Sequence, residues 1–368
     1  MKSIDHLSVY DLVLTTRAPL YIGSGNERKK TEYLFDSNAK TVSMIDTEAF
    51  FEYLYKKQLA DRYERFVLSG DTRLWQFFKN CGISEKEQDS LSLYKVSAAD
   101  ALDEVHSLKE IHTFMRDSRH RVYIPGSSVK GALRTVILTD MIFREKKGIW
   151  PDCHQNKDKR ARQMQTLEGE YLNTVSLKPD KYSNTANDPV NSILRGISIS
   201  DSEPISHKDM ILVGKIDVNE KGSPKELPIC RECIRPGTEL KFRLTLDHSV
   251  LPSDFTGESL MQMIRRFDAF YQKTFLARFK PPSDVFDVSY QDALILGGGA
   301  GFFSKTLVYP YLGTDAGMRY TETIMTKQFS KHHHEKDISE HGISPHTMKY
   351  GRYRGKLYHY GVCGVQIR

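Results

Sequence analysis

The sequence predicts an α+β fold of two ferredoxin-like halves, elaborated by helical insertions. Three observations carry this expectation. Strand-like and helix-like stretches interleave along residues 10–200, and the pattern restarts near residue 205. The strand candidates come with antiparallel hairpins, which suits an α+β arrangement. A chain of 368 residues is also long enough for two domains of roughly 100–200 residues each. The restart places the division between an N-terminal domain, 1–203, with the helical insertions, and a C-terminal domain, 204–368. The second carries a glycine-rich loop and a basic, His-rich tail.

The elements follow in order. Tyr10 to Tyr21 alternates as a half-buried strand, which Pro19 ends. Gly23 to Lys30 reads as a flexible basic loop. Thr31–Phe35 and Thr41–Asp46 flank a polar turn, Asp36 to Lys40, and form a hairpin. Thr47 is positioned to cap a helix over Glu48–Leu68, where Phe51, Leu54, Tyr55, Leu59, Tyr63 and Phe66 recur at helical spacing. Residues 72–118 suggest shorter helices. A short strand, Arg121–Ile124, is broken by Pro125-Gly126, and a helix runs from Val129 to Lys147. The polar stretch 148–190, with Pro151, Pro179 and Pro189, reads as a long surface excursion, partly mobile. Ile193–Ser200 returns to strand. Met210–Asp217 and Leu240–Leu246 are further strands, and Phe255–Phe279 is a long helix stopped by Pro281-Pro282. The polar tail begins near residue 327.

Composition bounds the function. Hydrophobic residues make up 39% and charged residues 27%. No stretch approaches the ~20 apolar residues that span a bilayer. The first residues lack the basic-then-apolar plan of a signal peptide, so a cytoplasmic protein is expected. Five scattered cysteines, an odd count, argue against a disulfide framework. The formal charge is +6 and the pI about 8.8, which permits an anionic partner without requiring one.

Four segments carry chemistry. In Tyr123-Ile124-Pro125-Gly126-Ser127-Ser128-Val129-Lys130-Gly131-Ala132-Leu133-Arg134, a rigid turn opens a helix. Ser127 or Ser128 can cap it, and free amides at a helix start favour an anion such as a phosphate. Lys130 and Arg134 share a face, and Gly131 permits close approach. The alternative is a capped amphipathic helix whose basic face is merely solvated. The second segment is Gly297-Gly298-Gly299-Ala300-Gly301-Phe302-Phe303-Ser304-Lys305-Thr306. Its amides could wrap phosphates, with Lys305 adding charge. It lacks the Walker A spacing, and a tight bend explains it equally. Phe302 and Phe303 could stack on bases or enter the core.

Cys230-Arg231-Glu232-Cys233 offers two thiolates, half of a structural zinc site. Of thirteen histidines, six (His332, His333, His334, His341, His346 and His359) lie in the tail, which could bind metal or be solvated. No catalytic set has a readable spacing. His120 is the candidate base if the chain is a metal-free ribonuclease. No cofactor or metal is expected.

Taken together, these segments resemble the RAMP superfamily of CRISPR proteins. The carrying residues are TTRAPLYIGSG (Thr15–Gly25), YIPGSSVKGALR (Tyr123–Arg134), SISDS (Ser198–Ser202), RPGTELKF (Arg235–Phe242) and GGGAGFFSKT (Gly297–Thr306). Their order matches the family. The last segment, with a substantial tail after it, most resembles the Csm-type member that caps the 3′ end of the guide RNA. The resemblance implies two RRM-like domains, binding of the crRNA 3′ region, and contact with the terminal backbone RAMP subunit and the small helical subunit of a type III-A complex. It also implies a part in crRNA 3′-end maturation through recruited host nucleases, without cleavage by the chain itself. RNA contacts are then expected at Arg28, Lys29 and Lys30 as a mobile basic arm, at Ser127, Ser128, Lys130 and Arg134, and at Gly297, Gly298, Gly299, Gly301 and Lys305. Two departures bear on this. Nothing around Asp36 marks it as the target-cleaving aspartate of the backbone subunit, and the insertions lengthen the chain. A crRNA-processing endoribonuclease of the same superfamily is the alternative. A protein-interaction module for acidic partners is another.

Overall fold

The computed structural model describes residues 6–71, 73–102, 109–175 and 188–368. Strand β1 (Leu7–Thr16) is followed by β2 (Gly23–Arg28), β3 (Tyr33–Asp36) and β4 (Thr41–Ile45). The expected hairpin is present, with Phe35 opposite Val42. Asp36 closes its turn by accepting from the Asn38 and Ala39 amides at 2.9 and 3.0 Å.

The single helix expected over 48–68 is two, α1 (Thr47–Lys56) and α2 (Ala60–Leu68). Gln58, at φ +56°, takes the left-handed conformation that stops the first. The cap is Asp46 rather than Thr47: its carboxylate accepts from the Ala49 amide at 3.1 Å. With α3 (Leu74–Asn80), which precedes α4 (Glu85–Ser90), these helices close a satellite core. In it Phe50, Leu54, Phe77 and Phe78 pack on Leu34 and Ile45 from the hairpin. The 72–118 stretch also supplies two strands that were not expected, β5 (Ser92–Ser97) and β6 (Glu110–Phe114).

Arg121–Ile124 forms no continuous strand; Val122 makes isolated bridges to Arg116 and Ile205. Helix α5 (Gly126–Arg144) follows, then α6 (Lys157–Leu172). The second occupies the stretch read as a surface excursion, and buries Leu167, Tyr171 and Leu172. Residues 176–187 of that excursion, with Pro179, lie outside the described residues. Then come β7 (Ile197–Ile199), β8 (Met210–Asn219), β9 (Pro224–Ile234), β10 (Glu239–Asp247), α7 (Gly257–Thr274), β11 (Ala293–Ile295), α8 (Val308–Leu312) and α9 (Thr314–Gln328). Three strands end the chain: β12 (Thr347–Tyr353), β13 (Lys356–His359) and β14 (Val362–Ile367).

The fold is α+β, as expected. One sheet has five antiparallel strands in the order β11-β14-β1-β10-β7. The other has nine: β2-β6-β9-β8-β5-β4-β3, with β12 pairing β8 and β13 pairing β12. Each sheet takes strands from both sides of residue 203. The tail is therefore not a solvated appendage, because β14 lies between β1 and β11 with Val362, Cys363 and Val365 buried. Helices α5 and α7 pack together, burying Val129, Leu133 and Ile137 with Leu260, Ile264 and Phe267. Each such side chain contributes about 1.5–3 kcal/mol by leaving water.

Candidate nucleic-acid interface

Helix α5 starts at Gly126 because Pro125 fixes an extended φ of −60° and cannot donate. No side chain at Pro125 caps it, and neither serine plays that part. Instead the Asp201 carboxylate, just after β7, accepts from the Gly126 amide at 2.9 Å. The protein has thus placed its own anion at the helix start. Gly126 is required there: a Cβ would stand 2.1 Å from the Ile199 carbonyl oxygen.

The glycine-rich loop leaves β11 and folds over the segment that follows β1. Gly297 has φ +94°, and the Gly298 amide donates to the Tyr21 carbonyl at 3.0 Å. Gly299 lies against the Tyr360 ring, and Gly301 at φ +82° lies against Lys349. Several of these glycines are therefore there for close packing, and at least one amide is engaged by the fold itself. Phe303 is core, with its ring 4.5 Å from Phe275. Phe302 is half-buried.

The two motifs meet. Ser127, Ser128, Gly131 and Thr135 of α5 form one wall of a cleft of about 410 Å³. Gly297, Gly298, Ser304 and Lys305 form the other, and Ile22 and Gly23 join them. Lys305 stands exposed at the rim and Lys130 is half-buried beside the α5 wall, outside the lining. Partial desolvation by the surrounding protein pulls both ammonium pKa values down, and neither has a carboxylate partner among the described residues. A partly desolvated cation without a counter-ion favours an incoming anion.

The other expected contacts stand elsewhere. Arg134 does not line the cleft and pairs with Glu168 of α6. The basic arm is not a free loop: β2 pairs with β6, with Arg28 opposite Ile111. Arg28 also reaches Glu32 at 3.4 Å, and only Lys29 and Lys30 extend past the strand. His120 sits exposed in a turn at φ +59°.

Sequence reading missed a second layer of cations behind the loop. Arg231, on β9, lies between the rings of Tyr21 and Tyr360, its guanidinium carbon 5.1 and 5.6 Å from their centroids. Its Nε and Nη1 are buried without hydrogen bonds among the described residues. Lys349 pairs with Asp217 at 2.9 Å, and Lys215 stands on the same strand as Asp217. The signal for Arg231 lay inside the C-x-x-C segment, where the cysteines drew attention. Those cysteines are core residues on β9, and burial drives both thiol pKa values up, that of Cys230 to about 12. Next to them, buried Glu232 accepts from the Phe114 amide at 2.8 Å and from Arg116 at 3.2 Å.

One antiparallel sheet, one mixed sheet and a cleft between a helix start and a glycine loop define the class: an α+β protein. The family model for the RAMP superfamily matches residues 13–277. The chain belongs to the RAMP superfamily. It is 28% identical over 309 residues to the CRISPR system Cms protein Csm5 of Streptococcus thermophilus, covering 81% of this chain and 80% of that protein. It is 26% identical over 387 residues to Csm5 of Mycobacterium tuberculosis (strain CDC 1551 / Oshkosh), covering 99% and 98%. Among solved structures it matches a chain of the Csm–crRNA–target RNA ternary complex of a type III-A CRISPR-Cas system. The TM-score is 0.66 at 18% identity, over 97% of this chain and 100% of that one. Among the described residues no helix is long and apolar enough to cross a membrane.

Proposed function

We propose that this chain is the Csm5-type subunit of a type III-A CRISPR (Csm) effector complex. It acts in the cytoplasm in antiviral defence and binds crRNA without cutting it. It holds the crRNA 3′ region, caps the assembly against the terminal backbone RAMP subunit and the small helical subunit, and assists 3′-end maturation by recruited nucleases. The relatives named Csm5 and the Csm-complex neighbour support this reading. The observation that carries it is the cleft in which the start of α5 faces the glycine loop, with Lys305 in its wall and Lys130 beside it, neither paired with a carboxylate among the described residues. Guide-RNA phosphates would follow Ser127, Ser128 and Lys130, then Gly297, Gly298 and Lys305. Gly299, Gly301, Arg134 and the segment Arg28 to Lys30 would extend the path. Such contacts recognise backbone rather than sequence, as variable spacers require.

Filter binding of a 3′ spacer RNA fragment across a salt series tests this. The expected result is salt-sensitive binding with intact RNA, weakened in the K130A/K305A double variant. The log–log salt slope should fall by about 0.7 per lysine removed. Unchanged affinity and slope in the double variant would overturn the cleft. Clean cleavage of repeat RNA, abolished by a single His or Asp substitution, would favour the endoribonuclease instead.

A further inference from the structure

The segment between α9 and β12 gathers a second set of side chains, away from the cleft. Asp337 is fully buried, and its two oxygens accept from different imidazoles. Oδ2 lies 2.9 Å from Nδ1 of His334, and Oδ1 lies 2.6 Å from Nδ1 of His346. Ser344 Oγ donates to Oδ2 at 2.6 Å. Beside them, Nδ1 of His341 lies 2.9 Å from Oε1 of Glu220, the residue that follows β8. Ring centroids are 5.2 Å apart for His334 and His346, and 4.5 Å for His341 and His346. All three rings line one cavity of about 710 Å³.

An imidazole that gives its Nδ1–H to a carboxylate is held in one orientation, and in its neutral form it keeps a lone pair on Nε2. That is how outer carboxylates fix metal-ligating histidines. The charge count points the same way. Asp337 is 0% and the Glu220 side chain 9% exposed, so two buried carboxylates stand among the imidazole rings. Among the described residues neither Glu220 oxygen nor Nδ1 of His341 makes a hydrogen bond, so their 2.9 Å contact is one of charge alone, and the Lys221 ammonium stands 3.8 Å from Oε1. Buried carboxylates need positive charge. Donor atoms of His334, Asp337 and His346 already lie within 4.8 Å of one another.

We propose that the Nε2 atoms of His334, His341 and His346 form a binding site for one divalent transition metal, of the zinc class by its imidazole donors, with Asp337 as the outer carboxylate that orients His334 and His346 and Glu220 as a further negative charge beside His341. The ion would tie the α9–β12 segment to the end of β8. Phe302, next to the glycine loop, lines the same cavity. The site is distinct from the RNA cleft, and its failure would leave the crRNA reading standing.

Metal content of the full chain, dialysed against metal-free buffer, tests the site, followed by Co²⁺ titration of the chelator-stripped protein. The expected result is about one zinc per chain and visible Co²⁺ bands that saturate near one equivalent. His334→Gln and His346→Gln should lose both signals, and His120→Gln should keep them. Asp337→Asn should weaken Co²⁺ binding about 10–100-fold. Substoichiometric zinc together with no saturable Co²⁺ band in the folded wild type would overturn the site. So would a His346→Gln protein that retains a full equivalent. RNA binding measured on the same samples separates loss of this site from loss of the cleft.

Discussion

Gly297 and the Tyr21 carbonyl are in a contact that no other residue could make: a Cβ at Gly297 would stand 2.3 Å from Tyr21 O, at a φ of +94°. The glycine loop is therefore clamped to the segment after β1, and the clamp sets one wall of the cleft. Gly297→Ala should cost about 2 kcal/mol or more, from left-handed strain plus the clash. Urea denaturation measures this. RNA affinity should fall as well, because the loop must lift off Tyr21.

Glu232 is wholly buried with Arg116, and the Arg116 guanidinium stacks on the Tyr94 ring with its carbon 3.6 Å from the centroid. Removing one partner strands the other. Glu232→Ala should destabilise by about 3–5 kcal/mol, since it leaves a largely buried cation without its carboxylate and the Phe114 amide without its acceptor. A shift in the denaturation midpoint without a change in slope would be the signature.

Two buried groups set opposing pH dependences. Burial raises the Asp268 carboxyl pKa to about 7. Its folded form therefore holds a proton that the unfolded chain releases above about pH 4, and this contribution to stability is lost as pH rises from there to 7. Burial lowers the His359 pKa to about 4. The unfolded chain there takes up a proton below about pH 6.5, so stability is lost as pH falls from 6.5 to 4. Between about pH 4 and 6.5 the two effects offset each other, and the wild-type stability profile should be shallow. Asp268→Asn should unmask steep acid destabilisation, and His359→Gln should unmask destabilisation with rising pH. Denaturation across that range checks both.

How much of this was legible in the sequence depended on where each partner lay. The β3–β4 hairpin and α5 show local signals, a polar turn and an apolar helical face, and both were read. Strand β2 has the sequence Gly23-Ser24-Gly25-Asn26-Glu27-Arg28, which carries no strand signal. It is a strand because β6, distant in the chain, offers a ladder to it. The α1–α2 break falls at Gln58, where neither glycine nor proline announces a left-handed residue. Strand β9 was hidden by Pro224 and Pro228. The first opens the strand, and the second falls where the β8–β9 register shifts, so neither blocks pairing. The meeting of α5 with the glycine loop rests on pairings such as β1 with β14, which no local pattern encodes.

Arg134 and Glu168 form a partly exposed pair across α5 and α6. Its contribution to stability should be small, about 0.2–1 kcal/mol by double-mutant cycle, because water already solvates both groups. Its effect on RNA should be larger. Lys130 sits one turn earlier on the same face of α5, so an RNA strand that passes Lys130 comes within reach of the Arg134 guanidinium, which Glu168 now holds. Neutralising the carboxylate removes both the competitor and a nearby repulsive charge. Glu168→Gln should therefore tighten RNA binding severalfold at low salt and steepen the salt slope, whereas Arg134→Ala should weaken it. If instead Glu168→Gln leaves RNA affinity unchanged while the cycle energy is still measurable, the pair only fastens α6 to α5, and the RNA path stops at Lys130.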